Sequence, residues 1–421
     1  MFYKRIILLF GICLWASGLQ AQQFPNLVYD NHVYDDAVNG LKVELMNAPC
    51  APPVLELNGT QRLYVSFDDL NAELRDLKYT LIHCTYDWKQ PSSLQKHEYL
   101  SGFGEGNISR YEYSMNSLQH YINYSFSLPN EEVQPLLSGN YLLCVYEDEE
   151  HLLFTYRLMI VDQKSIITPE FQASSNIPEH FTHQEIRFQV QPAGIHLQNP
   201  FRNVKAVVMQ NMRSDNAMLF EQPYSQKGEL LLYDKPGANT MEGGVEFHRF
   251  NIESLLRTLD NIREIRRTDD RYHVYLYPDL DRSYKPYFSE KDINGCYMPL
   301  RSPHAQSYEF DYADVHFEFH YDKPLDGDIY LFGELTHWRF IEEAKMSYDE
   351  SRHVYTADLY LQTGYYNYTY LYVPKQGLPA TYLVEGSHWE TENSYVFLIY
   401  YHPDGTDYDQ LIGYKQSFYT E

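Results

Sequence analysis

The chain has 421 residues, and its 58 aspartates and glutamates outnumber its 33 lysines and arginines to give a formal net charge of −25. A surface this acidic repels phosphate backbones and argues against a nucleic-acid-binding protein. The 41 tyrosines and 22 phenylalanines demand burial, so the charge does not indicate disorder, and the length predicts two or three domains.

The first 21 residues are typical of a secretory signal peptide. Lys4 and Arg5 form its charged end, a short apolar core follows, and small residues lead to a cleavage site expected after Ala21. The core is too short to span a bilayer, and no later segment has the roughly 18 consecutive apolar residues of a transmembrane helix. The sequence therefore predicts an exported protein with no embedded membrane segment.

Residues 22–164 form the first predicted domain. Four of its segments alternate apolar with polar residues, at 63–67, 79–83, 121–128 and 141–146. This alternation places one face of a strand on a core and the other face in solvent. Because turn residues separate the segments, the pattern predicts an antiparallel β-sandwich of immunoglobulin type.

Two further sandwiches are predicted, over residues 165–305 and 306–421. The strands of the second domain are expected at 185–191, 204–210, 230–233, 246–250 and 272–276. Those of the third are expected at 313–320, 329–332, 364–372 and 394–400. One helix is predicted over 253–266, because apolar residues recur there at helical spacing. The fold class is therefore all-β, with tandem immunoglobulin-like or early-set antiparallel β-sandwiches.

Four cysteines remain after the signal peptide. An exported protein can form disulfides, and Cys84 and Cys144 both lie in the middle of predicted strands of the first domain, where they could pair. The alternative is that both are buried thiols. The sequence leaves this choice open.

Five segments of the first domain resemble, in the same order, the N-terminal domain of the type IX secretion system plug protein: FDDLN, YTLIHCTYDW, EYLSGF, YEYSMNSLQHYINY and SGNYLLCVYED. The resemblance implies a periplasmic protein on the inner side of the outer membrane. Its partner would be the β-barrel translocon, which it seals as a plug. We expect a monomer whose three sandwiches form a rigid, elongated stopper, and the family has no catalytic residues to transfer.

The third domain is similar to the small sandwich modules found beside glycogen- and starch-acting enzymes. The similarity rests on a G-x-x-x-x-W pattern from Gly333 to Trp338 and on an aromatic strand at 364–372. It gives the alternative function, a periplasmic carbohydrate-binding protein.

No catalytic, cofactor-binding or metal-binding residues are predicted, because the chain lacks the short motifs that carry such chemistry. The best metal candidate is the row His316, Glu318 and His320, which share one face of a strand. That row spreads over roughly 13 Å, so it indicates a solvent face above a core lined by Phe317 and Phe319. The paired carboxylates are interpreted as turn residues: Asp68 with Asp69, Asp269 with Asp270, and Asp279 with Asp281.

Aromatic residues of the third domain form the candidate interface. On the predicted strand at 364–372, four tyrosines share one face, and two tryptophans accompany them. The candidate interface residues are Tyr366, Tyr368, Tyr370, Tyr372, Trp338 and Trp389. Tyrosine and tryptophan are favoured in protein interfaces. The alternatives are that this face packs against the opposite sheet or that it stacks on sugar rings.

Overall fold

The structure is a computed structural model that describes residues 24–299 and 309–419. The predicted signal peptide lies outside the described residues. Strands make up 48% and helices 6%, which confirms the all-β prediction. The short helices are α1 (Lys96–Tyr99), α2 (Pro200–Asn203) and α3 (Tyr382–Glu385). No helix among the described residues has the length and apolar character needed to cross a membrane.

The first unit is a sandwich of two main sheets whose facing side chains form one core. One sheet has the order β1-β12-β11-β5-β7 with β3 beside β12, the other the order β2-β4-β9-β8, and β6 pairs with β10. The strands are β1 (His32–Val33), β2 (Val38–Leu45), β3 (Val54–Glu56), β4 (Leu63–Asp69), β5 (Lys78–Cys84), β6 (Leu100–Gly102), β7 (Glu105–Asn107), β8 (Arg110–Tyr113), β9 (Ile122–Leu128), β10 (Val133–Pro135), β11 (Gly139–Tyr146) and β12 (Leu152–Val161).

The second unit is assembled from two separate parts of the chain. Its first part contributes β13 (Ser165–Ala173), β14 (His183–Pro192), β15 (Val204–Gln210), β16 (Met218–Phe220), β17 (Ser225–Lys227), β18 (Leu230–Tyr233) and β19 (Thr240–Glu242). One sheet has the order β13-β14-β18-β17, with β19 beside β14. The facing sheet is completed by the last two strands of the chain, described below.

The third unit packs two sheets around an aromatic core. Its strands are β20 (His248–Asn251), β21 (Ile262–Arg267), β22 (Tyr272–Leu276), β23 (Asp279–Leu280), β24 (Tyr297–Pro299), β25 (Tyr312–His320), β26 (Gly327–Phe332), β27 (Ser347–Asp349), β28 (Val354–Gln362) and β29 (Gly364–Pro374). The sheets are β20-β29-β24 with β26 on β29, and β21-β22-β25-β28-β27 with β23 on β25. Phe317 and Phe319 are buried while the alternate residues of β25 face outward, as predicted.

After the third unit the chain returns to the second as β30 (Asn393–Tyr401) and β31 (Gln410–Tyr419). Strand β30 pairs antiparallel with β15, from Val204 opposite Tyr401 to Gln210 opposite Tyr395. The expected division into consecutive domains at 165–305 and 306–421 therefore differs from the strand pairing. The strands predicted at 246–250 and 272–276 belong to the third unit, and the last strands belong to the second.

The outgoing and returning segments lie against each other between the second and third units. A Cβ at Gly243 would lie 1.9 Å from the His388 carbonyl oxygen, so only glycine allows this approach. The His388 amide donates to the Gly244 carbonyl at 2.9 Å, and Asn393 Nδ2 donates to the Gly243 carbonyl at 2.8 Å. The double crossing thus holds the two units together through close backbone packing and hydrogen bonds to the Gly243 and Gly244 carbonyls.

The helix predicted over 253–266 is wrong. Turns follow Asn251, and Leu256 is 90% exposed. The second half of the segment is β21, which pairs with β22. The apolar residues of β21, Ile262 and Ile265, are three apart, which also fits a helix. Pairing with a neighbouring strand outweighs this weak helical preference.

Candidate functional site

The tyrosine face of β29 lies inside the third unit. Tyr366 is 2% exposed, Tyr368 and Tyr370 are fully buried, and Tyr372 is 9% exposed. The Tyr370 ring stacks on Phe319 of the opposite sheet, with ring centroids 4.4 Å apart. These four tyrosines therefore cannot present a docking patch, and the alternative expectation, burial against the opposite sheet, is the arrangement observed.

Burial of these tyrosines is possible because their hydroxyl groups have hydrogen-bond partners. Tyr368 and Tyr370 both donate to Oδ2 of Asp279, at 2.6 and 2.7 Å. The Tyr366 hydroxyl donates to the Gln362 carbonyl at 2.5 Å. The tyrosine hydroxyl groups suggested a surface position, but these three have hydrogen-bond acceptors within the core.

Asp279 belongs to a buried network of four charged side chains. His248 lies between two carboxylates, with Nδ1 3.0 Å from Asp279 Oδ1 and Nε2 3.0 Å from Glu385 Oε1. Arg282 forms an ion pair with Glu385 at 2.7 Å. Burial and the Arg282 guanidinium oppose protonation of His248, but the two carboxylates outweigh them and raise its pKa to about 9.

The pKa values of the two carboxylates, Asp279 and Glu385, shift in the opposite direction. Burial favours the neutral form of Glu385, yet Arg282 and His248 outweigh this effect and lower its pKa to about 2. Two cations and two carboxylates therefore balance each other. Because Glu385 is fully buried and His248 is 9% exposed, the network is closed to a substrate and holds β20, β23 and α3 together.

The two tryptophans of the candidate interface lie apart from the tyrosine face and from each other. Trp338 is half-buried, and its ring centroid is 5.5 Å from that of Phe332 in the third unit. Trp389 packs on the core of the second unit, near Tyr419. The six residues do not share one surface, so neither a common docking patch nor a tyrosine platform for sugar rings is formed.

The cysteines pair differently from the possibility raised by the sequence. Cys84 and Cys144 are free, buried thiols. They lie on neighbouring strands, but Cys84 is opposite Asn140 and Cys144 is opposite Thr80. They are thus displaced by four residues along the ladder, roughly 13 Å, beyond the reach of a disulfide.

A disulfide joins Cys50 to Cys296 with a Cα–Cα distance of 5.8 Å. It links the segment after β2 of the first unit to the third unit, across 246 residues of sequence. The positions of Cys50 and Cys296 in the sequence did not predict this disulfide, because the two residues come together only when the units associate.

A buried carboxylate lies at the same boundary between the first and third units. Oδ2 of Asp68, on β4, accepts hydrogen bonds from the Tyr312 hydroxyl and from Gln362 Nε2, both at 2.6 Å. Oδ1 accepts from Asn123 at 2.7 Å. Burial raises the pKa of Asp68 to about 7 despite these three donors. From the sequence we interpreted Asp68 as a turn residue. In the structure it is a buried residue that connects the first and third units.

Lys42 provides a second buried polar contact at this boundary. Its Nζ donates to the Tyr297 carbonyl at 2.5 Å and to Glu334 at 2.6 Å. Next to it is a cavity of about 110 Å³ lined by all three units, including Tyr156 of the first and Met209 of the second. The units therefore cluster around a common junction and are not joined end to end, which corrects the expected elongated shape.

The first and second units share an apolar interface. It brings together side chains of β3 and β12 with those of β30 and β31: Val54, Met159, Val161, Val396, Leu398, Tyr400 and Leu411. The Tyr400 hydroxyl donates to Asn140 Oδ1 at 2.7 Å, and the Lys164 amide donates to the Ile412 carbonyl at 2.8 Å. Burial of this kind stabilises an association and limits movement between units.

Comparison with known families identifies the first unit. Residues 38–162 match the type 9 secretion system plug protein 1st domain. The chain carries a type 9 secretion system plug domain. This family indicates a role in type IX secretion and a location in the cell envelope. Together with the all-β fold, it accords with a protein that is not an enzyme.

The likeness to a solved structure extends beyond the plug domain. A hypothetical protein from Parabacteroides merdae ATCC 43184, with a crystal structure at 2.30 Å resolution, superposes with a TM-score of 0.89 at 28% identity. The alignment covers 93% of this chain and 100% of that chain. The arrangement of all three units is therefore shared. Comparison with curated proteins gives no match.

The plug domain has an exposed edge that the sequence analysis did not single out. Among the described strands, β8 pairs with β9 alone, and all four of its residues are exposed. On this strand, Tyr111 is 39% exposed and Tyr113 is 56% exposed. The alternating sequence Arg-Tyr-Glu-Tyr was the available signal for this strand. A free strand edge flanked by aromatic side chains can pair with an extended segment of another protein.

Proposed function

We propose that this protein is a periplasmic, non-enzymatic plug that binds the outer-membrane translocon barrel of the type IX secretion system and closes it. The match of residues 38–162 to the plug protein 1st domain carries this proposal. In this role the chain acts as a single copy on the inner side of the outer membrane.

The joined architecture supports an obstructing role. A body that closes a pore must resist deformation, because small solutes pass any gap that opens. The Cys50–Cys296 disulfide, the double crossing near Gly243 and the apolar interface between the first and second units each restrict movement between units. The three units therefore move as one body.

Charge and the exposed edge of β8 favour association with a protein partner. The net charge of −25 attracts a basic rim, and this attraction weakens as salt rises. On the plug domain, we propose that β8, with its exposed Tyr111 and Tyr113, contacts the translocon. Aromatic side chains bury a large area at low entropic cost when they dock.

Affinity purification from the protein's own membranes tests the proposal. A tagged copy of this chain should co-purify with translocon barrels that contain no secretion substrate. The amount of barrel that co-purifies should fall as the salt concentration rises. Tyr113→Ser should reduce recovery while leaving the unfolding midpoint unchanged. Leu256→Ser, at an exposed apolar residue of the third unit, is the control. If the barrel never co-purifies, the proposal is wrong.

A further inference from the structure

Two histidines and two aspartates meet on the outward face of the third unit's larger sheet. Strands β22 and β25 run parallel, with His273 opposite Asp314 and Tyr275 opposite His316. On the other side of β25, Asp358 of β28 is opposite His316. Three neighbouring strands therefore fix the positions of these side chains.

The two imidazole rings approach through their nitrogens. His273 Nδ1 is 3.2 Å from His316 Nε2, and the ring planes differ by 16°. His316 Nδ1 lies 2.7 Å from Asp358 Oδ1, a contact in which the protonated Nδ1 donates to the carboxylate. This tautomer leaves a lone pair on Nε2, directed toward His273. The Tyr275 ring stacks on His316 at 4.4 Å and holds its orientation.

We propose that His273 Nδ1, His316 Nε2 and the Asp314 carboxylate bind a divalent first-row transition metal ion of the zinc class. At zinc–nitrogen distances of about 2.0–2.1 Å, two ligands of a tetrahedral site lie about 3.3 Å apart. The nitrogen separation already matches this value. Asp314 Oδ2 is 3.7 Å from His273 Nδ1, but neither carboxylate oxygen lies within 4.8 Å of both imidazole nitrogens. The site therefore requires the Asp314 side chain to rotate toward His316 when the ion binds.

The surroundings fit a metal centre that solvent can reach. The side chains of His273, His316 and Asp314 are 27%, 23% and 18% exposed, so an ion can enter and water completes the coordination. Asp358 orients its histidine as carboxylates beside metal-bound histidines commonly do. Imidazole nitrogens favour zinc, copper and nickel over magnesium and calcium.

One cation competes for this site. Arg271 Nη1 lies 3.3 Å from Asp314 and is half exposed. Metal binding displaces this contact, and the guanidinium moves into solvent. Arg271→Ala removes both the competing donor and its charge, so it should tighten metal binding. A purely structural role for the two histidines predicts no such gain.

Isothermal titration calorimetry of the full mature chain with zinc chloride tests the site. We expect one zinc ion per chain and no binding of magnesium. His273→Ala and His316→Ala should each weaken binding at least about tenfold, and Asp358→Asn by about 10- to 100-fold. His320→Ala is the matched control, since His320 lies on the same strand but contacts Glu318 at 3.2 Å, and it should bind like the wild type.

Binding of cobalt(II) gives a second reading that needs no substitution. Cobalt(II) bound at a tetrahedral nitrogen–oxygen site should absorb visible light. The absorbance should disappear when added zinc displaces the cobalt ion. Circular dichroism without metal checks that each variant is folded. Absence of stoichiometric zinc binding, binding that survives either His273→Ala or His316→Ala, or equal loss in His320→Ala would overturn the proposal. These readouts do not depend on the proposed plug function.

Discussion

At the scale of single residues, the buried network around Glu385 makes the strongest stability prediction. Glu385→Gln keeps the shape of the side chain but leaves His248 and Arg282 with one carboxylate, Asp279. Removing one partner from a buried ion pair costs about 3–5 kcal/mol. Urea unfolding should show a loss of this size, and the pKa of His248, measured by NMR, should fall.

An exposed ion pair provides the control for this substitution. Asp326→Asn breaks the contact with Lys375, whose side chain is 75% exposed, and should leave the unfolding free energy unchanged. Equal effects of Glu385→Gln and Asp326→Asn would show that the network contributes little to the fold.

Asp68 makes stability depend on pH in a defined direction. Its pKa is about 7 in the folded protein, against an ordinary value of 3.8 for an exposed aspartate. As pH rises, the unfolded chain therefore releases this proton before the folded protein does. The contribution of Asp68 to the free energy of unfolding is therefore greatest at low pH and falls as pH rises toward 7. From about pH 5 to about pH 7.5, the loss is about 2–3 kcal/mol.

Asp68→Asn should remove this component of the pH dependence, measured as unfolding free energy in urea at the two pH values. Asp36→Asn, at an exposed residue, should retain it. If the wild type and Asp68→Asn show the same difference between the two pH values, Asp68 does not titrate as described.

Some of the candidate residues could be predicted from sequence because their pattern is local. The alternation of His316, Phe317, Glu318 and Phe319 predicted which face of β25 is buried. The proximity of His273 to His316 could not be predicted, since it depends on parallel pairing between strands separated by about forty residues. The same limitation hid the pairing of Cys50 with Cys296.

At the scale of elements, the tyrosine strand β29 behaves as part of the core. Tyr368→Ala should lower the unfolding free energy by about 3–5 kcal/mol, because it leaves a large cavity and removes a donor to Asp279. Tyr365→Ala, at a half-buried residue on the opposite face of the strand, should cost clearly less. Urea unfolding of both variants makes the comparison, and similar costs would contradict the burial of Tyr368.

The tyrosine face could not be assigned from its sequence because alternation is the same for a buried face and for a docking surface. The burial of this face depends on residues that are distant in sequence. Asp279 accepts from two of the tyrosines, and Phe319 stacks on Tyr370. Neither contact follows from the order of residues within β29.

At the scale of the whole molecule, the disulfide should contribute strongly to stability. Cys50→Ser with Cys296→Ser opens a link across 246 residues, and such a loss typically costs about 2–5 kcal/mol. A reductant should lower the urea midpoint of the wild type but not that of the double variant. Mass spectrometry should find Cys50 joined to Cys296 and both Cys84 and Cys144 free. A midpoint unaffected by reductant would contradict a stabilising link.

The all-β class and the strands of the plug domain were predictable because alternation and turns are repeated along the chain. The interrupted second unit was not, because β30 is a continuous, mostly apolar run that is buried throughout. This local pattern is the same whether β30 pairs with β15 or with a strand of the third unit. Only the register between Val204 and Tyr401 distinguishes the two cases. The local sequence pattern does not predict long-range strand pairing, or the clustering of the three units that follows from this pairing.

Single-channel conductance of the translocon tests the plug account most directly. The barrel would be purified from cells that lack this chain and placed in a planar bilayer, and the mature chain would then be added on the periplasmic side. We predict an open channel that closes when the chain is added and reopens as salt rises, with no response to another acidic protein of similar size. A conductance unchanged by the chain would contradict the plug function.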